Sequence, residues 1–274
     1  MDAATQGTVL HESMQAIYDS LLPPGHSPGQ IYVRHITASL IQSWLDGGEG
    51  VDIEAIVAGK IKEKYPPASR MDKLTGDAAL MAEIISRYVR HCLQADIRIA
   101  PFDYLDNERK VTVQYPLRGG RKVNMTFIID RLDRLITARG SRLLRIVDYK
   151  TGSDAMGFKK IDDLFHPSQN AGNTKGIFQL MLYSLLYPLY DKGFGSQTPI
   201  ALSLYSTRSL EVNGFRTMVE FQEEPIYSHL PLIDEYKELL DNELSSLFNL
   251  EQPFGQTTDR EKCLFCDFRK LCGR

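Results

Sequence analysis

The spacing of apolar residues changes period once along the chain, from 3.6 to 2 near residue 100, and that switch limits which folds are open to it. Before the switch, residues 7–22 place Leu10, Met14, Ile17, Tyr18 and Leu21 on one helical face, with His11 on its margin. Helical patterns at 37–45 and 53–64 end at Gly47-Gly48 and Pro66-Pro67, and a longer one at about 76–94 carries a stripe of Met81, Ile84, Ile85, Tyr88 and Cys92. After the switch, Val111, Val113 and Tyr115 alternate, Gly119-Gly120 makes a turn, and Val123, Met125, Phe127 and Ile129 alternate again. The spacing predicts a β-hairpin over 109–129. A third strand is expected at 131–137, and the apolar LLRIVDY at 143–149 reads as a central strand. A helix at 175–190, strands at 199–206 and 215–221 and a helix at 229–248 complete the order, which describes an α/β chain with a helical insertion near its beginning. No internal repeat or linker divides it. Residues 1–274 therefore read as one domain, with a helical part at about 7–95, a core at about 105–225, and a C-terminal helix and tail at about 229–274.

With 43% apolar and 24% charged residues, the composition excludes a disordered or low-complexity chain. No apolar run reaches membrane-spanning length, and the first 30 residues lack the order of a signal peptide, so a soluble, cytoplasmic protein with no membrane partner is expected. The net charge of −3 argues by itself against nucleic acid, but residues 109–160 hold 13 Lys and Arg against four Asp, +9 locally. Such concentration suits a phosphate-bearing partner and equally suits solubility.

The central chemical signal is Asp130 together with Asp148-Tyr149-Lys150. Each carboxylate lies at or near a strand end, and on neighbouring strands the two can converge at one sheet edge. Carboxylates so placed repel, and a divalent cation is the usual remedy; hard oxygen ligands with open positions suit Mg²⁺ or Mn²⁺. Lys150, two residues after Asp148, projects to the same strand face, where an ammonium can orient an attacking water and stabilise charge on phosphoryl oxygens. On residue types alone, Asp130-Arg131 and Asp133-Arg134 also fit surface ion pairs, and VDYKTG a strand end with a turn.

Four elements in order, GTVLH at 7–11, IIDRLD at 128–133, IVDYKTG at 146–152 and FQLMLY at 178–183, make the chain resemble the RecB-family nucleases of the PD-(D/E)XK superfamily. The likeness is greatest to the C-terminal nuclease domain of AddB-type helicase–nuclease subunits. It implies a restriction-endonuclease-like core, a mixed central sheet flanked by helices. It also implies a metal held by His11, Asp130, Asp148 and the backbone carbonyl of Tyr149, with Lys150 catalytic and Gln179 and Tyr183 positioning the lysine or the DNA. The function implied is metal-dependent, exonucleolytic processing of DNA ends delivered by a helicase outside this chain, in recombinational repair. One departure is Phe127, where many members have glycine. The runner-up is a catalytically silent nuclease fold that binds DNA or serves assembly; the complete set of His11, Asp130, Asp148 and Lys150 argues against it.

Cys263, Cys266 and Cys272 crowd into the last twelve residues and match the C-terminal trio with which AddB-type domains bind a [4Fe–4S] cluster. A reduced exposed tail and a zinc knuckle completed by a histidine are the alternatives. The family's fourth cysteine lies upstream of the G-x-x-x-H helix. Cys92 is the remaining candidate here, though its place on an apolar stripe favours packing. The expectation is an excised domain that left the upstream cysteine behind, with the cluster belonging to the full-length protein.

Overall fold

A computed structural model describes residues 2–23, 32–137, 140–166, 172–251, 253, 255–257, 260–264 and 266–274. Among the described residues six α-helices, α1 (Ala3–Asp19), α2 (Ala38–Leu45), α3 (Ile53–Lys64), α4 (Gly76–Ile99), α5 (Lys175–Tyr190) and α6 (Leu230–Leu247), combine with eight strands. The strands are β1 (Arg34–Ile36), β2 (Phe102–Pro116), β3 (Lys122–Ile136), β4 (Arg142–Lys150), β5 (Gly157–Phe158), β6 (Ile200–Ser206), β7 (Glu220–Phe221) and β8 (Glu224–Pro225). Five of them form a sheet in the order β1-β2-β3-β4-β6, antiparallel except for the parallel β4–β6 pair; β5, β7 and β8 form a small second sheet. This is the mixed central sheet flanked by helices of a restriction-endonuclease-like fold, with the helical insertion before it. Among the described residues no helix is long and apolar enough to cross a membrane.

The two faces of the sheet carry separate cores. In β4, Leu144 and Ile146 join the core against α5 and α6, whereas Val147 and Tyr149 join the one against α1–α4. Both faces of β4 are thus apolar, which is why its sequence reads as a near-continuous hydrophobic run. Gly176 lets α5 lie close on β6, since a Cβ there would stand 2.9 Å from Leu204 Cδ1. That approach brings the first turns of α5 to the end of β4.

Several boundaries differ from the sequence reading. α1 starts earlier because Asp2 caps it, its carboxylate accepting the Thr5 amide at 2.8 Å, and it stops at Asp19 rather than residue 22. The separate strand expected at 131–137 does not exist: β3 runs unbroken from Lys122 through Ile136 and serves as both hairpin arm and sheet centre. The strand expected at 215–221 is cut to Glu220–Phe221, with turns before it and a positive φ at Phe215. Strand β1 carries too short a pattern to be read from sequence.

The pairs Asp130-Arg131 and Asp133-Arg134 are not surface ion pairs. Arg131, Asp133, Arg145 and Asp96 are all essentially inaccessible to solvent. Arg131 grips Asp96 through two hydrogen bonds of 2.8 and 2.9 Å and reaches Asp133 at 2.9 Å, while Arg145 grips Asp133 at 2.8 and 2.6 Å. The Tyr18 and Tyr205 hydroxyls also donate to Asp96, at 2.7 and 2.6 Å. Two cations and two anions neutralise each other, which is the condition for burying charge at all. Two of the basic residues counted in the 109–160 window are therefore core, and Arg139 lies outside the described residues.

Candidate metal centre

The site forms where β3 and β4 part. Their pairing begins at Arg131↔Val147 and runs away from the site, so beyond Val147 the β3 edge of β4 lacks a strand partner. Asp130 fills the gap with its side chain: Oδ2 accepts the Tyr149 amide at 2.8 Å. The next residue, Arg131, donates to the Tyr149 hydroxyl at 3.0 Å, so the buried ion network fixes the tyrosine whose carbonyl faces the site.

From α1, His11 Nε2 donates to the Tyr149 carbonyl at 3.0 Å, and its Nδ1 lies 3.3 Å from Glu108 Oε1 and 3.6 Å from Asp130 Oδ1. Among the described residues, His11, Glu108 and Asp130 are the one group offering three metal-ligand atoms within 4.8 Å of one another. Burial opposes protonation of His11, but the Asp130 and Glu108 carboxylates more than offset it and raise its pKa to about 9. Burial raises Asp130 above the usual carboxylate range against the pull of His11.

Asp148 and Lys150 project from the same face of β4, toward α5, as their spacing predicts. The Lys150 ammonium lies 3.0 Å from Asp148 Oδ1 in hydrogen-bond geometry and 2.8 Å from Oδ2. Oδ2 is buried and has no hydrogen-bond partner among the described residues, since the ammonium is close to it but poorly aligned. Burial, then repulsion from Asp130, pushes the Asp148 carboxyl up to about 7 despite Lys150. Asp148 lies outside the group of three formed by His11, Glu108 and Asp130; its buried oxygen carries an unused lone pair one residue from the Tyr149 carbonyl, and hard donors of this kind fit a small hard dication.

A cleft of about 520 Å³ opens over these groups, lined among others by Gly7, His11, Glu108, Tyr149, Lys150 and Gln179. Gln179 thus reaches the cleft. Tyr183 does not line it: its ring stacks on Phe127, centroids 5.1 Å apart and 16° from parallel, and its hydroxyl pKa is raised by burial and by the nearby charges of Asp148 and Asp130. Phe127, the departure noted in the sequence, thus supplies the surface on which the Tyr183 ring rests.

Glu108 is the residue that sequence reasoning missed. It sits at a left-handed φ of 43° in β2, beyond a register shift between Tyr104 and Asp106, and neither the bulge nor the backbone strain is announced by the alternation around it. Its only sequence signal was a carboxylate at the point where the strand pattern begins.

Among the described residues the tail cysteines do not form a group of three ligand atoms within 4.8 Å of one another; Cys263 is half-buried, and Cys266 and Cys272 are exposed. Cys92 is wholly buried among the helices, where burial pushes its thiol up. A family model described as the PD-(D/E)XK nuclease superfamily matches residues 1–273. No curated protein matches the chain.

Proposed function

The chain belongs to the PD-(D/E)XK nuclease superfamily, and on that premise we propose that it is a Mg²⁺- or Mn²⁺-dependent deoxyribonuclease that digests DNA from its ends. We place it with the RecB family, closest to the AddB-type nuclease domains. There it would act in the cytoplasm on ends unwound by a helicase outside this chain, in double-strand-break processing and recombinational repair. The observation that carries the reading is the convergence of His11, Asp130, Glu108 and the Tyr149 carbonyl beside the buried Asp148–Lys150 pair. The placement among RecB-type enzymes rests on the four sequence elements and their order.

In this proposal His11, Asp130, Asp148 and the Tyr149 carbonyl hold the cation, and Glu108 completes the set. A bound dication supplies Lewis-acid polarisation of the phosphoryl oxygens and makes water a better nucleophile. Lys150, held by Asp148, presents its ammonium to the cleft. There it orients the attacking water and stabilises negative charge gathering on the phosphate in the transition state. The Gln179 amide is placed to hydrogen-bond a phosphate oxygen or the lysine. Tyr183 acts from behind the site by fixing the turn of α5 that carries Gln179. Cys263, Cys266 and Cys272 enter the proposal as thiolate ligands of a [4Fe–4S] cluster in the full-length protein, a role that rests on their spacing. Iron and sulfide analysis tests it.

The deciding experiment is cleavage of linear and closed-circular DNA, single- and double-stranded, with Mg²⁺ or Mn²⁺. Wild type is expected to cut linear DNA preferentially, and Lys150→Ala and Asp148→Ala to lose at least about 100-fold in rate while still melting cooperatively as folded proteins. A wild-type protein that binds dication and DNA without cutting would make the chain a silent binding module instead.

A further inference from the structure

The β2–β3 hairpin projects past its neighbours. Over 110–116 and 122–128 the two strands pair only with each other, neither β1 nor β4 extending that far. One face of this ribbon is buried, with Val111, Val113 and Tyr115 in the core against α5 and α6. The other face is solvent-exposed and carries Lys110, Thr112 and Gln114 on one strand and Lys122, Asn124 and Thr126 on the other.

Three properties distinguish this face from an ordinary solvated strand surface. Its chemistry is all hydrogen-bonding or cationic apart from Ile128 and Pro116, and the whole stretch 110–129 contains no Asp or Glu, in a chain that has 35 of them. Lys110 and Lys122 have no ion-pair partner among the described residues, whereas Arg118 and Arg121 at the hairpin tip turn away toward α6, to Asn242 and over the Phe248 ring. The face also starts at the metal centre, for Glu108 and Asp130 lie two residues beyond Lys110 and Ile128 in the same two strands. It runs outward from there for roughly 20 Å, seven residues at about 3.3 Å each.

We propose that this face is a track for the sugar–phosphate backbone of the DNA as it leaves the scissile position. The inference rests on the nuclease reading above and assigns the substrate's path. Amides, hydroxyls and two unpaired ammonium groups match phosphate and sugar oxygens. The exposed side has no aromatic ring on which a base could stack, so the contact is to the backbone and independent of sequence. At about 3.4 Å per nucleotide rise, the ribbon accommodates about six nucleotides of a helical strand.

The test is fluorescence anisotropy of end-labelled 20-nucleotide duplex and single-stranded DNA in EDTA, across a salt series, with cleavage in Mg²⁺ followed on the same preparations. Lys110→Ala/Lys122→Ala is expected to weaken binding several-fold and to reduce the slope of log Kd against log salt by about 1.8 on duplex or about 1.4 on single strands, the loss of two phosphate contacts. Gln114→Glu, which adds a charge without changing shape, should also weaken binding, whereas Lys73→Ala, an exposed lysine of the helical lobe, should leave both quantities as in wild type. Matched thermal melts exclude misfolding, and Gln114→Glu alone carries the test if the double variant does not fold. An unchanged slope in the double variant, or an equal loss in Lys73→Ala, overturns the track while leaving the nuclease reading intact if wild type cuts. Absence of cleavage by wild type, with the slope change present, overturns the nuclease reading alone.

Discussion

His11 is held between two carboxylates, and its protonation reports how strongly they act on it. Burial favours the neutral ring, yet Asp130 and Glu108 together carry its pKa to about 9. Glu108 contributes both a hydrogen bond and a charge at 3.3 Å, from a backbone conformation that a glutamate rarely adopts. Glu108→Gln keeps the size and removes the charge. In the metal-free protein it should move the His11 titration down toward the ordinary histidine value, by on the order of one pH unit. Imidazole chemical shifts followed by NMR over pH 5–10 would measure this, and an unmoved midpoint would mean that Asp130 alone sets the histidine. The same substitution should weaken Mg²⁺ binding, since one hard anionic donor is lost.

At the scale of elements, β3 and β4 are stapled to α4 by charge as well as by apolar packing. Asp96 on α4 accepts two hydrogen bonds from Arg131 and one each from Tyr18 and Tyr205, so it joins α1, α4, β3 and β6 at one carboxylate. Asp96→Ala leaves two buried guanidinium groups with only Asp133 to balance them, and should cost about 3–5 kcal/mol of stability, measurable by urea unfolding. A loss under about 1 kcal/mol would show that water enters and compensates. Because Arg131 also holds the Tyr149 hydroxyl, a milder Asp96→Asn variant should lose metal affinity as well as stability. Asp96 was legible in principle: it falls four residues after Cys92 on the stripe that marks the buried face of α4, and a carboxylate on such a stripe needs a buried cation. The helices and the hairpin were readable because period and turn residues are local. That His11 meets Asp130 and that Asp148 meets Lys150 was readable because their order along the chain is itself the motif. Glu108 and the ion network were not, since a bulge and a long-range pairing leave no periodic trace. The merger of two expected strands into β3 escaped for a related reason: the polar Asp130 and Arg131 look like a break, and only burial of the arginine permits the strand to continue.

For the whole molecule, the site imposes a pH dependence opposite to that of the core. The Asp96 carboxyl is held below the usual range because, although burial opposes it, the charge and hydrogen bonds of Arg131 outweigh that, so its contribution is present near neutrality and lost as pH falls through its folded value. Asp148, pushed by burial and Asp130 from 3.8 to about 7, works the other way: the folded state holds a proton that the unfolded state releases, so stability falls as pH rises from about 4 to 7. His11, raised from 6.5 to about 9, continues that decline over pH 6.5–9. The metal-free protein should therefore be most stable on the acid side of neutrality and lose on the order of ten degrees of Tm between pH 5 and 9 in EDTA. A dication held as proposed would displace these same protons, so its stabilisation should be small at pH 5 and grow steadily toward pH 9, with proton release detectable by calorimetry in buffers of different ionisation enthalpy. A flat Tm in EDTA over that range would mean that Asp148 and His11 are not shifted in this way, and a Mg²⁺ increment independent of pH would mean that they do not hold a cation. In the second case His11, Glu108 and Asp130 would have to be read as a partly buried polar cluster where β3 and β4 part.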